Sequence, residues 1–171
     1  SLEEKTFRRE DILDDIQKEI TVFLGQVLLG PVSGDITDEA RIQLRLADEL
    51  ESLSDEIVTL LKLNLKADKS DLHFSKKAQE DVVTLLDESA DYLNILHTAM
   101  EEGDADILSK AHAKSSHLKR RTKQCRREYL VNIAEENISP LQSLIYTDVL
   151  KTFRLINEHL LNVAEAIAGE K

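Results

Sequence analysis

A chain of 171 residues makes one domain, or two small helical bundles sharing a core. Its 42% hydrophobic and 32% charged residues, with two Pro and five Gly, describe long helices that face water on one side. A net charge of −11 excludes generic nucleic-acid binding, which needs a basic face to displace counterions, and opposes wholesale docking on an anionic membrane.

Residues 1–10 are densely charged and read as a frayed lead-in. The first helix is expected from about Glu10 to Leu29, with Ile12, Ile16, Ile20, Phe23 and Val27 on one face. The run Gly30-Pro31-Val32-Ser33-Gly34 breaks it. A second helix starts near Asp35 or Thr37, either able to cap it, and reaches about Lys66. Ala67 to Ser70 is a polar turn. The third helix runs from Asp71 or Ser75 to Glu102 on a stripe of Ala78, Val82, Leu85, Leu93 and Leu96.

Gly103-Asp104 pairs a helix-ending glycine with a capping aspartate. The fourth helix follows from Ala105 to about Glu135, with Ile107, Ala111, Leu118, Cys125 and Tyr129 inward. Ser139-Pro140-Leu141-Gln142 is a start signal: Ser caps, Pro sits where its missing N–H is harmless, and Gln can complete a capping box. The fifth helix then runs to Gly169. The fold class is all-α, an antiparallel up-down bundle of five long helices. The lone Cys125 allows no internal disulfide and places the chain in a reducing compartment. No apolar run approaches the ~18 residues that span a bilayer.

The second and fifth helices repeat one another. Leu46, Leu50, Leu53, Ile57, Leu60 and Asn64 step 4, 3, 4, 3, 4. Val149, Phe153, Ile156, Leu160, Val163 and Ile167 do the same, each 103 residues later. Two seams at one offset indicate an internal duplication.

The fifth helix carries Ile156, His159, Asn162, Ala164 and Glu165. This series resembles the closing helix of PhoU-type domains, roughly Leu-Glu-Arg-Ile-Gly-Asp-His-x-x-Asn-Ile-Ala-Glu. Arg45-Leu-Ala-Asp-Glu-Leu-Glu-Ser-Leu-Ser-Asp-Glu-Ile in the second helix is its other copy. The resemblance implies two similar three-helix bundles, here without the first helix: a partial repeat over residues 1–66 and a complete one over 71–169. The chain opens on Ser1 without a Met, as a piece of a longer protein would.

Domains similar to this one follow the membrane portion of bacterial sodium-dependent phosphate cotransporters, and others are free-standing regulators of phosphate uptake. The resemblance therefore implies a non-enzymatic regulatory domain at the cytoplasmic face of the cell membrane. Its partner would be the transmembrane portion of its own chain, with a separate phosphate transporter as the alternative.

The resemblance also implies surface carboxylates that hold metal. Glu51 and Asp55 keep the family's Glu/Asp-x-x-x-Asp spacing, with Asp48 one turn before, and are expected to face solvent. Two carboxylates at i, i+4 can share a divalent or iron/zinc-type ion. Such pairs also arise roughly six times by chance in a helical chain this acidic. In the fifth helix the equivalents are Arg154 and Glu158, and an arginine cannot ligate. His159 is expected on the helix surface or at a cap.

A metal-dependent helical enzyme of the ferritin-like kind needs inward Glu-x-x-His pairs, and the sequence has none. Lys119, Arg120, Arg121, Lys123, Arg126 and Arg127 make the fourth helix basic. They read as a solvated face paired with neighbouring acids, or as a docking patch for membrane headgroups or an acidic partner. Without its first helix, the partial repeat exposes an apolar strip, and self-association is expected.

Overall fold

The structure, a computed structural model, describes residues 1–104, 106–133 and 138–169. Five helices make an all-α bundle: α1 (Leu2–Leu28), α2 (Gly34–Lys69), α3 (Lys76–Glu102), α4 (Ile107–Asn132) and α5 (Pro140–Ile167). The expected end of the fourth helix near Glu135 lies outside the described residues, as does its expected start at Ala105.

Helix ends follow from local chemistry. Ser139 Oγ accepts the Gln142 N–H at 3.1 Å, with Pro140 in the first turn. Gln142 does not close a capping box there; its side-chain amide instead donates to the His73 carbonyl at 3.0 Å and ties α5 to the loop before α3. Gly103 ends α3 in the left-handed region at φ 66°, which glycine adopts without strain. Asp106, not Asp104, occupies the cap of α4.

Three expected boundaries are corrected. Residues 1–10 are helical, because Ser1 and Glu4 form a capping box that satisfies the free N–H groups of the first turn. Ala67 is buried and α2 continues through the expected turn to Lys69. Ser33 caps α2, accepting the Ile36 N–H at 3.4 Å, in place of Asp35 or Thr37.

Packing is uneven along the chain. α3, α4 and α5 all touch one another, α5 also packs along α2, and α1 packs on α2 alone. The core lies where α3–α5 meet: Leu85, Tyr92, Leu96, Ile107, Phe153 and Leu160 are buried there. Each such side chain contributes about 1.5–3 kcal/mol when taken from water. The Tyr92 hydroxyl donates to the Ala111 carbonyl at 3.1 Å, so its one polar atom is satisfied in the core. The Tyr129 and Tyr146 rings stack with centroids 4.0 Å apart.

The two seams differ in burial. α5 buries Leu150, Phe153, Ile156 and Leu160 between its neighbours. The α2 seam buries Leu46 and Leu53 and half-buries Leu50 and Leu60, but leaves Ile57 41% exposed where its counterpart Leu160 is 1% exposed. Of the expected inward face of α1, Ile20 and Val27 are half-buried, while Ile12, Ile16 and Phe23 face solvent. α1 has no buried residue, and Ile16 and Phe23 are 46% and 63% exposed. The apolar stripe of α4 is covered by contrast: Leu118 and Cys125 are each 3% exposed. The amphipathic pattern of α1 is real, but among the described residues α2 covers only part of its apolar side.

Candidate functional site: the α2–α5 joint and its flanking charged faces

The joint between α2 and α5 is polar at one end. Arg45 Nη2 lies 2.6 Å from Glu165 Oε2. One turn further along α2, Glu49 receives two groups from α5: His159 Nδ1 at 2.8 Å and the Asn162 side-chain amide at 3.0 Å. Glu49 and His159 are both largely screened from solvent, so these bonds act in a lowered dielectric. His159 is thus an inter-helix clasp, not a surface or capping residue. Asn157 adds a tie to α4, donating to the Ser115 carbonyl at 3.1 Å.

The residues that carry the PhoU resemblance in α5, namely His159, Asn162 and Glu165, are the ones that hold α2. Glu49 and Arg45, their partners, gave no signal of their own. They sit more than a hundred residues away in sequence, and only the repeat offset hints that α2 and α5 are neighbours.

On the other flank of α2, the suspected metal ligands lie beside α1. Gln17 Nε2 donates to Asp48 Oδ1 at 2.7 Å. Glu51 is half-buried, while Asp48 and Asp55 are exposed. Desolvation, followed by the charges of Asp55 and Asp14, raises the Glu51 pKa above the ordinary glutamate range. Glu10 on α1 is raised as well, by desolvation and then by Asp11 and Asp55. Lys18 answers part of this negative charge through Asp14, 2.6 Å away. Among the described residues no group of three or more His, Cys, Asp or Glu converges as a set of metal ligands.

Glu51 therefore takes up a proton more readily in the folded chain than in the unfolded one. Its folded pKa lies above its unfolded one, so the carboxylate weakens the fold at neutral pH. That penalty disappears as pH falls through the raised pKa. Glu51→Gln is expected to raise Tm by about 1–2 °C at pH 7. The gain should vanish once pH drops below the ordinary glutamate range. Calorimetry across that range checks it, and a lowered Tm at pH 7 would contradict the assignment.

The basic face lies on α4. Arg121 turns toward α3, its Nε 3.7 Å from Glu88 Oε1, which also lies 3.3 Å from His117 Nε2. The other five cations, Lys119, Arg120, Lys123, Arg126 and Arg127, are exposed and form no ion pair among the described residues. Exposed Leu130 and Val131 follow them at the C-terminal end of α4. The bland expectation of cations paired with neighbouring acids thus describes Arg121 alone of the six.

Cys125 is buried, and desolvation pushes its thiol pKa up, as a structural thiol requires and a reactive one does not. It lines a cavity of about 10 Å³, the size of one water, with Asp81, Tyr129 and Tyr146. Lys77 bridges Asp81 and Glu128 at the rim of that cavity.

Among the described residues no helix is long and apolar enough to cross a membrane. No family model, curated protein or solved structure matches the chain.

Proposed function

We propose that this chain is a PhoU-like interaction domain, the cytosolic module of a sodium-dependent phosphate cotransporter-type membrane protein. The observation that carries the reading is the α2–α5 joint. Two helices whose seams share one offset lie against each other, and the motif residues His159, Asn162 and Glu165 close on Glu49 and Arg45 of the other repeat. Such a domain acts through its helix faces and not by turnover. The exposed cations of α4, with Leu130 and Val131 beside them, suit the anionic headgroups next to a transporter.

The test is fractionation of native cells with an antibody to this domain. The expected band lies in the membrane fraction, well above the 19.4 kDa of the chain. A soluble band larger by about one helix would overturn the attached form and establish a free-standing regulator of phosphate uptake.

The same reading places a divalent or iron/zinc-type ion on the carboxylates Asp48, Glu51 and Asp55 of α2. Titration with Fe, Zn or Mn should give uptake that Glu51→Ala/Asp55→Ala abolishes. Equal uptake by both proteins would remove these residues from any metal site.

A further inference from the structure

α1 presents large apolar side chains to solvent along most of its length. Leu2, Ile12, Ile16 and Phe23 are each at least two-fifths exposed, and among the described residues α2 is the only helix that packs on α1. On α4, by contrast, Leu118 and Cys125 of the apolar stripe are buried. A strip of this kind marks an interaction surface.

The order of residues along that face says what fits it. Leu2 comes first, then Lys5, Arg8 and Arg9, then Ile12, then Asp15, Ile16 and Glu19, then Phe23. The series is self-complementary about Ile12. Cations precede it, anions follow it, and an apolar residue closes each end at nearly equal distance. Lys5, Arg8, Arg9, Asp15 and Glu19 are all exposed, and none forms an ion pair within its own chain among the described residues.

We infer that α1 of one copy packs antiparallel on α1 of a second copy, about a two-fold axis near Ile12. The pairing goes beyond the functional reading above and stands without it. In that arrangement Leu2 meets the second copy's Phe23, Lys5 meets its Glu19, and Arg9 meets its Asp15. Ile12 meets itself. One patch serves both copies, as a closed two-fold contact requires. The two α1–α2 layers then form a four-helix unit in which each α1 gains the neighbour it lacks.

Apolar burial supplies the affinity and the flanking charges set the direction. A parallel pairing would bring cations against cations and anions against anions. It would also leave Leu2 and Phe23 at opposite ends.

Sedimentation equilibrium of the purified chain tests this. The expected species is a dimer, twice 19.4 kDa. Phe23→Asp should weaken it by about tenfold or more. The position is exposed, so far-UV circular dichroism should be unchanged.

A charge swap tests the direction independently of folding at Phe23. Arg8→Glu/Arg9→Glu makes this face of α1 acidic but for Lys5, and Asp15→Lys/Glu19→Lys makes it basic. Each variant alone should be monomeric, and an equimolar mixture of the two should dimerise. A monomeric parent chain would overturn the inference. So would a dimer indifferent to Phe23→Asp, or charge variants that dimerise alone as well as mixed.

Discussion

Phe153→Ala is expected to lower the free energy of unfolding by about 3–5 kcal/mol. Phe153 is buried at the middle of α5, in the core where α3, α4 and α5 meet. Truncation there removes the transfer gain of the ring and leaves a cavity. The surrounding helices cannot close it, because each is pinned by its other neighbour. For a chain of this size the loss corresponds to a fall in Tm of roughly 10 °C.

Phe23→Ala serves as the internal control. It deletes the same atoms from a side chain 63% exposed, and should change the unfolding of the isolated copy by less than about 1 kcal/mol. Denaturant titration of the two variants at low protein concentration separates them. Equal losses would mean that α1 is covered as fully as α5.

Glu49→Ala is expected to cost about 2–3 kcal/mol, more than its own exposure suggests. The change leaves His159 and Asn162 of α5 turned into a half-buried seam without their acceptor. A double-mutant cycle with His159→Ala should return a coupling of roughly 1–2 kcal/mol. A coupling near zero would mean that the 2.8 Å contact is incidental. Arg154→Ala, which breaks only the exposed pair with Glu158 on the same helix, should change stability by less than about 0.5 kcal/mol.

These contrasts show where the sequence was informative. The seams of α2 and α5 were legible because their period and spacing are properties of the chain alone. The start of α5 was legible because Ser139-Pro140 encodes its own cap. The start of α1 was misread because a run of charges hides the Ser1–Glu4 capping box, a local device that needs no apolar residue.

Periodicity showed that α1 is amphipathic, but it carries no information on whether a partner exists. Leu118 and Phe23 look alike in sequence and differ twentyfold in exposure. Glu49 was invisible for a related reason. Its partners are a whole repeat away, and nothing adjacent to it marks one acid among thirty-three as the clasp. The six cations of α4 were legible as a group. That among the described residues only Arg121 finds an acid depends on which way each side chain turns.

The placement of the aromatic hydroxyls has a practical consequence for following this chain as it unfolds. There is no Trp, so intrinsic emission comes from three tyrosines. Tyr92, Tyr129 and Tyr146 are buried in α3, α4 and α5 respectively. Emission therefore reports on that repeat and is blind to the first fifty residues. Helical ellipticity at 222 nm weighs every helix alike. A loss of ellipticity that precedes the change in emission would mean that α1 peels away while the tyrosines are still packed, and the chain would then not unfold in a single step.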